Sequence, residues 1–112
     1  MPRSVLLFAL AAALSLVVAP AAHAKTCSAP DYPGSGYFTS LSVKRVSCAT
    51  GRKVTLAHYR CRNRSSRAGR CHKKVLGYSC SEHRNSISTE IQSRVTCRRG
   101  GKRVVYSYQQ NL

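Results

Sequence analysis

The stretch EIQSRVTCRRGGKRVVYSY, Glu90–Tyr108, decides how the chain is read. Gly100-Gly101 at its centre is a two-residue hairpin signal between two alternating runs. Folded there, Arg99 faces Lys102, Arg98 faces Arg103, Cys97 faces Val104, Val95 faces Tyr106 and Ser93 faces Tyr108. One face then carries Ile91, Val95, Cys97, Val104, Tyr106 and Tyr108. The other carries Arg94, Thr96, Arg98, Arg103, Val105 and Ser107. This register sorts apolar from basic on both strands at once, and a shift by one residue would bury arginines. The predicted unit is a half-buried antiparallel hairpin.

Upstream, Leu41 and Val43 alternate with Ser40, Ser42 and Lys44, which predicts a strand. The segment Cys48–Cys61 fits two periods. Thr50, Val54, Ala57 and Cys61 share a helical face and Ser47 is a suitable N-cap, while Thr55, Ala57, Tyr59 and Cys61 alternate as a strand would. The helix is the preferred reading, although Gly51 in its first turn costs about 1 kcal/mol relative to Ala. Lys73–Cys80 predicts a further strand with Leu76, Tyr78 and Cys80 on one side, and Ser81–Thr89 a connection. The leader Lys25–Gly36, with two prolines and several turn formers, is expected to be tied down through Cys27. The expected fold is α+β: one helix packed on a three- to four-stranded antiparallel sheet.

The first 24 residues have a different composition. Arg3 is followed by a fourteen-residue apolar run, Val5–Val18, and by the small-x-small site Ala22-His23-Ala24. These are the three parts of a secretory signal peptide. The run is short of the roughly 20 residues needed to cross a bilayer. Residues 25–112 are then the mature domain, secreted to the extracellular space, monomeric and without stable membrane insertion.

All six cysteines lie in that domain: Cys27, Cys48, Cys61, Cys71, Cys80 and Cys97. A small exported domain with an even cysteine count is expected to be held by disulfides. Cys61–Cys71 joins a helix end to a loop end across a short stretch and is expected first. For the others the reading leans to Cys48–Cys80 and Cys27–Cys97. The fragments GYFTSL, SCATGRK, AGRCH, VLGYSC and VTCRRG resemble small secreted cysteine-rich proteins of actinobacterial type, a group with no assigned activity. The resemblance implies export and a compact α+β shape, and no reaction.

Charge is the functional clue. Without Arg3, eighteen Lys and Arg stand against three acids, Asp31, Glu82 and Glu90, for a net charge of +15. Twelve of the eighteen are arginines, which bind phosphate and carboxylate in bidentate fashion. From Arg60 to Lys74, seven of fifteen residues are basic and none is acidic. The expected role is non-catalytic binding of an anionic polymer, such as nucleic acid or a wall polymer, or of an acidic protein surface. The expected contacts are Arg62, Arg64, Arg67, Arg70, Lys73 and Lys74 on the Cys61–Cys71 loop and its flank, with Arg94, Arg98 and Arg103 on the hairpin.

Three other chemistries compete. The disulfide-closed loop could present Arg67 or Arg70 to a trypsin-like protease as an inhibitor, with pre-organisation favouring binding. A secreted ribonuclease would need two acid–base groups converging on one phosphate, from His58, His72, His83, Glu82 and Glu90. Neighbouring Glu82 and His83 are expected to point apart. Zinc would need Cys80 with His83, or Cys71 with His72, as thiolate and imidazole ligands; disulfides would consume those thiols. No metal or cofactor is expected.

Overall fold

The hairpin closes at Gly100-Gly101 with every pair in the predicted register, from Arg99↔Lys102 and Arg98↔Arg103 to Ser93↔Tyr108. Gly100 has a φ of 56°, the positive value that a two-residue hairpin turn demands at its first central position. The coordinates are a computed structural model describing residues 11–15 and 23–112. Arg3, Ala22 and most of the apolar leader run lie outside the described residues.

The described residues form five strands and one helix: β1 (Lys25–Thr26), β2 (Gly36–Lys44), α1 (Cys48–Arg62), β3 (Ser79–Ile87), β4 (Glu90–Arg99) and β5 (Lys102–Asn111). The sheet order is β1-β2-β5-β4-β3, antiparallel throughout. The α+β expectation stands, with one strand more than foreseen. No helix among the described residues is long and apolar enough to cross a membrane.

α1 begins as its cap predicts: the Ser47 hydroxyl oxygen accepts the Thr50 N–H at 3.1 Å. The helix buries Gly51, Val54, Thr55, His58 and Arg62 on one face, against β2 and β5. This stripe is rotated from the expected one, and Thr50, Ala57 and Cys61 sit half-buried at its margin. Gly51 is the closest approach: a Cβ there would lie 2.5 Å from the Val43 Cγ1. On β2, an irregularity between Phe38 and Ser40 lets Phe38 pair beside Tyr108 and Leu41 beside Tyr106. The core is Leu41, Val43, Val54, Val75, Tyr78, Ile91, Val95, Cys97, Val104, Tyr106 and Tyr108.

Two expectations for the middle of the chain are corrected. Lys73–Cys80 is not a strand, because Leu76 (φ 50°) and Gly77 (φ 80°) form a tight turn closed by paired bonds between Val75 and Tyr78. Residues 81–87 belong to β3 rather than to a connection. The inward residues of β3, Glu82 and Arg84, are polar, so hydrophobic alternation leaves no trace there.

The disulfides are Cys27–Cys48, Cys61–Cys71 and Cys80–Cys97. Cys61–Cys71 forms as expected. The pairings Cys48–Cys80 and Cys27–Cys97 are corrected. Cys80 and Cys97 are direct cross-strand partners on β3 and β4. The leader runs beside β2, with the Cys27 N–H bonded to the Leu41 carbonyl, and meets the start of α1 where β2 hands over to it. Cys48 is therefore the near partner of Cys27.

Candidate functional site: a cationic sheet face and a buried arginine

The nine expected contact residues fall into separate groups, and one is not a surface residue at all. Arg62 is fully buried, which corrects its assignment as a polyanion contact. α1 runs on through Arg62, and about three turns after Gly51 the helical period returns it to the core face. Its guanidinium donates to the Gln110 Oε1 at 2.8 Å and to the Tyr32 hydroxyl at 3.2 Å. It also stacks over Tyr108, with 3.6 Å from its central carbon to the ring centroid, and lies 5.2 Å from the Tyr59 centroid. A planar, weakly hydrated cation between tyrosine faces is a stable arrangement that a lysine could not copy.

The arginine loop is anchored to side chains of β5 and β3 and is not a freely solvated turn. Gln110 donates to the Arg67 carbonyl, and Arg84 donates to the carbonyls of Ala68 (2.8 Å) and Gly69. Glu82 is the hub beneath it. One carboxylate oxygen accepts the Tyr108 hydroxyl at 2.6 Å, and the other meets Arg84 and, at 3.4 Å, Arg70. Arg64, Arg67, Arg70, Lys73 and Lys74 remain exposed. Arg64, Arg70 and Lys73 line a recess of about 310 Å³ beside the Cys61–Cys71 link.

Burial sets the protonation of the interior. His58 is 2% exposed with its Nδ1 against the Tyr106 hydroxyl. Burial, helped by the nearby Arg62 and Arg84 cations and opposed by Glu82, holds its pKa down at about 4. Burial and the bond to Glu82 push Tyr108 up to about 12, and burial raises Tyr106 further. His58 is thus a neutral core residue. Glu82 faces the covered side of the sheet, while His83 lines a cleft on the open side. They point apart as their adjacency in a strand requires. The sulfurs of Cys71 and Cys80, weighed above as zinc ligands, are held in disulfides.

The other predicted residues, Arg94, Arg98 and Arg103, lie on the sheet face opposite α1. Register sets Lys44 beside Arg103 and Arg103 beside Arg98, three cations in a row across three strands. The recess at this end, about 230 Å³, is lined by Lys44, Arg45, Arg98, Lys102 and Arg103 with the turn glycines. The Arg45 guanidinium lies close over Gly101, 3.0 Å from where a Cβ would stand. The Arg103 Nε is shielded from solvent and has no partner among the described residues. Both ion pairs among the described residues go to Glu82, on the other face, so none neutralises this row. Sequence reasoning missed Lys44 and Arg45. The alternation of β2 already placed Lys44 on the outward side, but nothing local showed that β2 would lie next to β5.

No protein-family model, curated protein or solved structure matches the chain.

Proposed function

We propose that the protein is exported and acts as a non-catalytic binder of anionic polymers, through the cationic recess at the hairpin end of the open sheet face. The supporting observation is the row Lys44–Arg103–Arg98, joined by Arg45 and Lys102 around one recess, without an acidic residue in its lining. Like charges in direct cross-strand positions destabilise a sheet unless a counter-charge arrives. A run of phosphates or sulfates supplies it and releases its own counterions on binding. Arg64, Arg67, Lys73 and Lys74 add to the field that draws such a polymer in. Export rests on the three-part leader and on the three disulfides, which persist in oxidising compartments.

The inhibitor reading gains no support from the loop geometry. The carbonyls of Arg67, Ala68 and Gly69 are engaged by Gln110 and Arg84, so the backbone is held against the domain rather than offered to a protease.

The test is retention on heparin and binding of RNA across a salt series. The variant Lys44→Ser/Arg98→Ser/Arg103→Ser should lower the slope of log affinity against log salt by about 2–3 units. A slope unchanged in that variant would overturn the proposal.

A further inference from the structure

The cationic recess is one end of a longer surface whose far end is neither cationic nor apolar. Four successive rows cross the open face. The first is Tyr37, Gln109, Gln92 and Asn85. The second is Ser107, Arg94 and His83, and the third is Ser42, Val105, Thr96 and Ser81. The fourth is Lys44, Arg103, Arg98 and Ser79. Three recesses, of about 390, 160 and 230 Å³, join these rows end to end. Arg94 lines the first two, and Lys44 and Arg103 line the last two. From Gln109 to Arg103 along β5 the track is ~20 Å long, the length of a few nucleotides.

The ends differ in chemistry. Tyr37 is 66% exposed and takes no part in the aromatic cluster of Tyr32, Phe38, Tyr59 and Tyr106. The side-chain amides of Gln92 and Gln109 both donate to Glu90, at 3.3 and 2.5 Å. One N–H of each amide is thereby turned toward the carboxylate, and each carbonyl oxygen remains to accept from a ligand. An anion is unwelcome beside Glu90 and welcome beside Arg94 and the Lys44–Arg103–Arg98 row. The ligand that matches both ends carries flat rings with N–H donors and a negative backbone. Sulfated polysaccharide and polyphosphate have the charge without the rings. A duplex has the rings already stacked and paired, and this flat face offers no helix or ribbon to enter its major groove.

We propose that the open face is a track for single-stranded nucleic acid, with a base on Tyr37 and the Gln92–Gln109 acceptors and the phosphates along Arg94, Arg103 and Lys44. This rests on the polyanion reading above and narrows it to one polymer class. Stacking of successive bases on exposed aromatics beside a positive groove is how sequence-tolerant single-strand binding works in general.

The probes are a fluorescein-labelled ten-nucleotide single-stranded RNA, a duplex of the same length, and heparin, each titrated by anisotropy at fixed salt. The single strand should bind more tightly than the duplex. Tyr37→Ala should weaken single-strand binding roughly tenfold and leave heparin unchanged, and Tyr37→Phe should restore it. Lys44→Ser/Arg98→Ser/Arg103→Ser should weaken RNA and heparin together. If the triple variant loses both ligands but Tyr37→Ala changes neither, the surface is a general polyanion site and the nucleic-acid track is overturned. If the triple variant changes neither ligand, both proposals fall.

Discussion

The guanidinium of Arg62, at the last turn of α1, lies flat on the ring of Tyr108 in β5, 3.6 Å from its centroid. Around this contact the leader, the helix, the sheet and the arginine loop all meet. Tyr32 comes from the leader, Gln110 from β5 and, through Gln110, the Arg67 carbonyl from the loop. Among the described residues no carboxylate pairs with this cation, so its stability there comes from ring faces and neutral acceptors.

Arg62→Ala should cost about 3 kcal/mol, the scale for removing a large fully buried side chain. Arg62→Met should recover much of that loss, since it refills the volume, gives sulfur–aromatic contact and leaves no charge to bury. Both are read by urea denaturation under non-reducing conditions. Heparin affinity and its salt slope should stay unchanged in Arg62→Met, because Arg62 does not reach the surface.

Gly51→Ala tests packing against propensity. In an exposed helix the change would gain up to about 1 kcal/mol. Here the new methyl would sit 2.5 Å from the Val43 Cγ1, on a strand that cannot retreat from its neighbours. Overpacking of this kind costs about 1–3 kcal/mol, so a net loss of about 1 kcal/mol is expected. Val43→Ala should be less harmful in the Gly51→Ala background than alone, and strict additivity in the double-mutant cycle would refute the steric account.

The same residue shows where sequence reasoning stopped. The hairpin was legible because its two strands are adjacent, joined by two glycines, and patterned consistently. Ser47 and the Cys61–Cys71 link were legible because caps and short loops are local. Gly51 reads locally as a flaw, and its purpose becomes visible only once Val43 lies beneath it. β3 was hidden because its inward residues, Glu82 and Arg84, answer to Tyr108 and the loop carbonyls rather than to a hydrophobic core. Arg62 followed His58 by four residues and Thr55 by seven, so the extended helical face did carry its signal, masked by polar residue types. Arg98 facing Arg103 was fixed by the turn, whereas Lys44 joined them only through the long-range pairing of β2 with β5.

His58 gives stability a dependence on pH. The unfolded imidazole takes up a proton near pH 6.5, whereas the folded one resists until about pH 4 because it is buried. The contribution is therefore complete above pH 6.5 and declines as pH falls toward 4, where protonation favours the unfolded chain. Between pH 7 and pH 5 the loss should be about 2 kcal/mol. His58→Gln, which keeps a hydrogen-bonding group near the Tyr106 hydroxyl, should flatten the profile over that range. Equilibrium denaturation of both proteins at several pH values reads the difference, and equal slopes would show that His58 is not its source.

The cation row should behave as a stored repulsion. Arg98 faces Arg103 directly, Arg103 faces Lys44, and no ion pair among the described residues relieves them. Like charges in such positions cost about 0.2–1 kcal/mol per pair, so Arg98→Thr should stabilise the free protein by that amount at low salt. Threonine also suits a strand and keeps the outward face polar. The gain should fade as salt rises, because at about 1 M the screening length shrinks to about 3 Å. Saturating heparin should reverse the ranking. A ligand that binds only the folded state stabilises it by mass action, and wild type, with the intact row, should take the larger increase in melting temperature. Thermal melts of wild type and Arg98→Thr, at low and high salt and with and without heparin, therefore form one closed comparison. A variant that is no more stable at low salt would show that the three side chains splay apart into solvent. A variant that gains as much from heparin as wild type would place the polymer elsewhere on the molecule, with the exposed loop cations Arg64, Arg67, Lys73 and Lys74 as the next residues to replace.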